Sequence, residues 1–169
     1  MSIKLEPLGP KNAWDVYEFE VENRAHFEKY LLSRGDNYYK PEIYESIARE
    51  LIDEQNGGGC LMYIIRDEAG KVAGRVNFTP VEAKTAELGY RIGKDSGGRG
   101  VATRAVKMAM KLAEEHGLEK IMAGTSSDNV ASQRVLEKNG FVFVGKTENY
   151  MEINGVWVDS LQYVKSFRS

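Results

Sequence analysis

Thr85-Ala86-Glu87-Leu88-Gly89-Tyr90-Arg91-Ile92, then the turn Gly97-Gly98-Arg99-Gly100, then Val101-Ala102-Thr103-Arg104-Ala105 carry the chain from one structural period to another. In the first stretch Ala86, Leu88, Tyr90 and Ile92 alternate with Glu87, Gly89 and Arg91, the two-residue period of a strand. Gly89 inside that strand suggests a bulge. After Gly100 the apolar residues Val101, Ala105, Ala109 and Leu112 fall on one helical stripe, with Arg104, Lys107 and Lys111 on another. A strand, a glycine-rich turn and a helix start make a recipe for holding phosphate. Glycine lets the backbone approach closely, and unpaired N–H groups at the positive end of the helix favour an anion. From these residues alone, an ordinary strand-to-helix turn is an equal alternative. Two familiar phosphate loops are excluded. There is no Gly-Lys-Ser/Thr ending, and a GxGxxG pattern started at Gly98 meets Thr103 at its third glycine.

Working outward, residues 3–8 read as a first strand and 13–21 as a helix. Residues 23–40 read as an irregular, partly helical loop carrying Phe27, Tyr30, Tyr38 and Tyr39, aromatics that more often anchor such a segment to the core than line a groove. Pro41 opens a helix to about residue 55 that stops at Gly57-Gly58-Gly59. Leu61–Arg66 and 71–78 form a hairpin around Asp67-Glu68-Ala69-Gly70. Beyond the central helix, closed by His116-Gly117, come a strand at 120–125, a helix at 130–139 stopped by Gly140, and a strand at 141–147. A last hairpin turns at Asn154-Gly155 and runs out over 156–165. The alternation predicts an α/β domain with a mixed, mostly antiparallel central sheet and helices on both faces, a single domain over 1–169.

Composition narrows the function. Lys and Arg total 23 against 25 Asp and Glu, a net charge of −2, so no basic field draws in nucleic acid. No apolar run approaches the roughly eighteen residues that span a membrane. The amino terminus lacks a signal-peptide pattern, and Cys60 is the only cysteine, so a cytoplasmic protein without disulfides is expected. His26 and His116 have no ligand-like spacing to other metal-binding residues, so no metal is expected. Cys60 has no partner for nucleophilic catalysis and reads as a packed thiol.

The segment from Gly98 to Ala105 resembles the pyrophosphate-binding motif of the GNAT acetyltransferase superfamily. Asn129-Val130-Ala131-Ser132-Gln133-Arg134-Val135-Leu136-Glu137-Lys138-Asn139-Gly140-Phe141 resembles its second cofactor motif. The strand Ala86 to Ile92 is similar to the family strand beside the pantetheine arm. Gly155-Val156-Trp157-Val158-Asp159 with Tyr163 resembles the closing hairpin of the Rim-type enzymes, which acetylate ribosomal-protein N-termini.

The resemblance implies acetyl-CoA as cosubstrate, held by Tyr90, Arg91 and Ile92, by Gly97, Gly98, Arg99, Gly100, Val101, Ala102 and Thr103, and by Asn129 and Ser132. It implies an amine acceptor, either a small molecule or a peptide N-terminus, and admits the homodimers common in the superfamily. The sheet is expected to splay beside residues 89–92, freeing main-chain N–H groups for the cofactor. There are two departures from the pattern. Gly97 stands where many members have Gln or Arg, and Leu136 fills the slot of the tyrosine that in many members protonates the departing thiolate. Ser132 is then the candidate donor to that thiolate, or simply a polar residue in a first helical turn. Glu87 is the candidate base, unless it pairs with Arg75 or Arg91. Asn129 is either a pantetheine contact or a helix cap. Glu148, Glu152 and Asp159 put acid on the last hairpin, able to attract a cationic amine. The rival reading is a CoA-binding module without turnover.

Overall fold

A computed structural model describes residues 2–167. Met1, Arg168 and Ser169, the ends of the expected 1–169 domain, lie outside the described residues. The elements run β1 (Lys4–Pro7), α1 (Ala13–Glu22), α2 (Arg24–Phe27), a 3-10 turn at Asp36–Tyr39, α3 (Pro41–Asn56), β2 (Leu61–Arg66), β3 (Val72–Phe78) and β4 (Thr85–Ile92). A 3-10 turn at Lys94–Ser96 then leads to α4 (Val101–Glu115), β5 (Lys120–Ser126), α5 (Val130–Lys138), β6 (Val142–Ile153) and β7 (Val156–Ser166).

The strands form one seven-stranded sheet in the order β1-β2-β3-β4-β5-β7-β6. Every neighbouring pair is antiparallel except β4 and β5. Side chains of β2 divide between the two faces as the strand period requires: Tyr63 and Ile65 enter one core, Met62 and Ile64 the other. The first core lies under α4 and α5. There Ala105, Ala109 and Ala113 repeat at four-residue spacing and are buried, letting the helix approach the sheet closely against Val76, Phe78 and Ile121. The second core lies under α1 and α3, with Val16, Phe19, Tyr44 and Ala48. Helices on both faces, expected from the alternation, are therefore observed.

Two details differ from the sequence reading. Gly89 makes no bulge, since β3 and β4 stay in unbroken register from Gly74↔Ile92 to Phe78↔Leu88. What changes at Gly89 is the other edge: the parallel ladder to β5 covers only Thr85↔Lys120 to Leu88↔Ala123, and beyond it the two strands part. The strand expected at 141–147 and the first arm of the last hairpin are one strand, β6, reaching Ile153. Its pairing with β7 is interrupted between Phe143 and Gly145 and between Thr147 and Met151. Asn149 takes a positive φ of 47° in the second interruption, and its N–H donates to Asp159 Oδ1 at 2.9 Å. Residues 23–40 are irregular and partly helical as expected, with Tyr38 buried, Tyr39 packed against the second core and Tyr30 exposed.

The parted end of β4 carries a charge conflict. Arg75 and Arg91 face each other across β3 and β4, a like-charge pair that would push the strands apart. Glu20 of α1, fully buried, answers both: Arg75 Nη1 donates to its Oε1 at 2.9 Å, and Arg91 Nη1 lies 3.5 Å from Oε2. Arg34 adds a third guanidinium at 3.3 Å. Burial pushes the Glu20 carboxyl up, but Arg34, Arg75 and Arg91 outweigh it and hold it below the usual glutamate range. Its stabilisation is thus complete above about pH 4.3, the ordinary glutamate value, and disappears only as pH falls through the depressed one. Glu20→Gln should lower the unfolding free energy at pH 7 by about 3–5 kcal/mol, because uncompensated buried charge remains. In urea titrations the gap to the wild type should close in the acid range.

Candidate active site

The parting of β4 and β5 opens a cleft of about 980 Å³ that reaches both faces of the sheet. On the α4 side it is lined by the glycine turn, the first residues of α4, and Asn129, Ser132 and Leu136 of α5; on the α1 side by Glu87, His26, Phe27, Tyr30 and Leu31; and along its end by Tyr150, Met151, Ile153 and Asp159 of the last hairpin.

The glycine turn fits an anion. Gly98 and Gly100 both hold φ at +73°, and a Cβ on either would point into open space, so the exposed backbone is bare toward the cleft. Gly100 caps α4 with no side-chain hydrogen bond, and the first helical bond runs from Arg104 N–H to Gly100 O at 3.1 Å. The N–H groups of Val101, Ala102 and Thr103 therefore precede the helical ladder and face the turn as donors. Gly97 and Gly98 line the cleft, while the Arg99 side chain is exposed beside it.

Of the strand residues, Tyr90 and Ile92 face α4 and pack against the first core, while Arg91 turns to the other face. Its guanidinium belongs to the Glu20 cluster and lies 4.9 Å from the Phe27 ring centroid, and its main chain pairs with Arg75 in the β3 ladder, so the main-chain groups turned to the parted edge are those of Tyr90 and Ile92. Glu87 is exposed to the cleft and has no ion pair among the described residues; Arg75 and Arg91, the two partners that would have neutralised it, are taken by Glu20.

Asn129 caps α5, its Oδ1 accepting the Ser132 N–H at 3.1 Å. That cap fixes Ser132 in the first turn with its hydroxyl 2.9 Å from the Tyr90 hydroxyl. Leu136 is buried in the tyrosine slot. Of the acidic residues on the last hairpin, Asp159 reaches the cleft. Glu148 pairs with Lys146 on the strand, and Glu152 is exposed. Cys60 is fully buried, and burial pushes its thiol up to about 11, which suits a packed side chain.

The second wall of the cleft was only partly anticipated: Phe27 and Tyr30 line it while Tyr38 is buried in the core. His26, considered in the sequence only as a metal ligand, lines it beside them, and its pKa is lowered by burial and by Lys29 and Lys94. At the far end Asn154 Nδ2, at the hairpin tip, donates to Glu28 O just past α2 at 3.1 Å and bridges the two elements. No local signal links residues so far apart in the chain.

Residues 3–142 match the family of the Acetyltransferase (GNAT) domain. The chain belongs to this family. It is 33% identical to "Probable N-acetyltransferase YjcK" of Bacillus subtilis (strain 168), an alignment covering 94% of this chain and 90% of the relative. Its fold matches the ribosomal-protein-S5-alanine acetyltransferase of Vibrio fischeri with a TM-score of 0.92 at 22% identity, over 100% of this chain and 95% of that one. It also matches the spermidine N-acetyltransferase of Vibrio cholerae, solved in complex with CoA and spermine, with a TM-score of 0.83 at 17% identity over 97% and 95%. The GNAT domain of this chain is thus that of an acetyl-CoA-dependent N-acetyltransferase acting on an amine, and the bare backbone of the glycine turn suits the cosubstrate's pyrophosphate.

Replacing Gly100 by Ala should leave the overall fold intact while straining a left-handed position and placing a methyl group over the phosphate seat. Calorimetric titration with CoA should show affinity reduced by on the order of tenfold.

Proposed function

We propose that this enzyme acetylates the N-terminal amine of a peptide or protein, with Glu87 accepting the amine's proton and Ser132 serving the departing thiolate. The observation that carries the reading is the position of Glu87: an unpaired carboxylate on the α1 side of a cleft whose other side presents the glycine turn and Ser132. The main-chain N–H groups of Tyr90 and Ile92, on the edge released from β5 by the parting, are the donors suited to the pantetheine arm and the acetyl carbonyl. Asn129, Tyr90 and Ile92 complete the cofactor wall.

Charge supports a singly charged acceptor over a polyamine. A chain of several cations needs several free carboxylates, whereas the carboxylates lining the cleft are Glu87 and Asp159. Asp159 already accepts the Asn149 N–H and has Lys146 Nζ at 3.9 Å. The mouth is flanked by the exposed rings of Tyr30 and Tyr150, surfaces suited to the side chains that follow an N-terminal residue. Transfer is direct, with no acetylated enzyme, and one domain in the cytoplasm completes the proposal. Among the described residues no helix is long and apolar enough to cross a membrane.

The test is thiol release from acetyl-CoA over a panel of N-terminal peptides, polyamines and amino sugars. Peptides should be the best acceptors, and tight CoA binding without turnover on any amine would overturn the reading. Glu87→Gln should lower kcat by on the order of 10²-fold, most severely in the acid range where the acceptor arrives protonated. An unchanged pH–rate profile would remove Glu87 from its role.

A further inference from the structure

Leu136 leaves the α5 wall without the phenol that many relatives carry there, yet a phenol is present. It comes from strand β4, on the same side of the sheet. Tyr90, on the parted end of β4, places its hydroxyl 2.9 Å from Ser132 Oγ, and both side chains line the cleft. Ser132 is itself held by the Asn129 cap on its N–H, so the pair joins β4 to α5 across the α4 side of the cleft.

The chemistry assigns a direction to that bond. A phenol is a far stronger acid than an aliphatic alcohol, and the alcohol oxygen is the better acceptor, so Tyr90 donates and Ser132 accepts. Serine has a single proton. With one lone pair occupied by Tyr90, that proton is free to point into the cleft. Burial keeps the Tyr90 phenol protonated, raising its pKa against the smaller opposing effect of the Ser132 bond.

We propose that Tyr90 is a positioning residue and proton reservoir for Ser132, relaying a proton through the serine hydroxyl to the departing thiolate. The proposal rests on Ser132 serving that thiolate. As the acceptor nitrogen bonds to the acetyl carbon, the carbon–sulfur bond breaks and sulfur keeps the electron pair. Ser132 gives its proton to sulfur and takes the Tyr90 proton in the same movement. The phenolate is restored by the proton that the acceptor nitrogen sheds to Glu87 and solvent in the cleft, so both hydroxyls end the turnover as they began. A serine acting alone would have to become an alkoxide, which is why an alcohol without such a neighbour is a poor acid at neutral pH.

The experiment compares wild type, Tyr90→Phe, Ser132→Ala and the double variant by two readouts. One is the thiol pKa of bound CoA, followed by the ultraviolet absorbance of its thiolate; the other is kcat with acetyl-CoA across pH, with CoA affinity as a check on folding. Tyr90→Phe keeps the ring and its packing. It should raise the bound thiol pKa and lower kcat by about tenfold, the scale of one lost hydrogen bond, with CoA affinity unchanged. Ser132→Ala should do more, and the double variant should match Ser132→Ala alone. If Ser132→Ala moves neither readout, the reading of Ser132 fails. If Ser132→Ala moves both and Tyr90→Phe moves neither, that reading stands and the relay is overturned. A Tyr90→Phe effect of equal size in the Ser132→Ala background also overturns it, since the phenol would then act without the serine.

Discussion

Strand β4 pairs with β5 over Thr85–Leu88 and with β3 over Leu88–Ile92, so past Leu88 its β5 edge is open. Everything that makes this sheet a working site follows from that change at Gly89. Were β5 to follow β4 to its end, the main-chain groups of Tyr90 and Ile92 would be used up in a ladder and no cleft would pass between the helices. A half-freed strand must be held by other means, and it is held from the α1 face by Glu20. That single carboxylate binds Arg91 on the free strand and Arg75 on its remaining neighbour. The cluster costs desolvation, but it fixes the strand where packing alone on one edge would let it move. It also leaves Glu87, on the same face, without a basic partner among the described residues.

Much of this was legible in the sequence, for local reasons. The glycine turn and α4 are short-range features: positive φ, an uncapped helix start and an apolar stripe are each written within a few adjacent residues. Their boundaries in the structure agree with the periodicity to within a residue or two. Asn129 and Ser132 were legible in the same way, and the structure shows why both readings of Asn129 were reasonable, since it caps α5 and lines the cleft together. The Glu20 cluster was not legible. Glu20 sits in a helix of mixed polarity, and its partners lie on strands and a loop far along the chain. Likewise Gly89 was read as a bulge because sequence shows that a glycine is tolerated and not which neighbour the strand loses there.

The cleft wall away from α4 was the least legible part. Phe27 comes from the end of α2 and Tyr30 from the turn after it, while Tyr150 and Ile153 come from the last hairpin, and their association is set by the hairpin tip meeting the end of α2 through Asn154. Aromatic residues in an irregular segment carry no mark saying whether they will anchor a core or line a groove. Here the group divides: Tyr38 packs inward, Phe27 does both, and Tyr30 stays exposed. The tyrosine of the thiolate site shows the converse. A motif comparison that inspects only the helical slot finds Leu136 and an absence, whereas three dimensions supply Tyr90 from a strand whose alternation had marked it only as facing the core.

A cleft lined from both faces of a sheet has a kinetic meaning as well as a structural one. On the function proposed above, the cosubstrate sits toward α4 and the acceptor toward α1 and α2, so neither ligand blocks the other's approach, and the buried, weakly acidic Cys60 offers no resting place for an acyl group. Such an enzyme works with both substrates resident at once. Its rate law contains a ternary complex, its double-reciprocal plots intersect, and saturating one substrate leaves the entry of the other unobstructed.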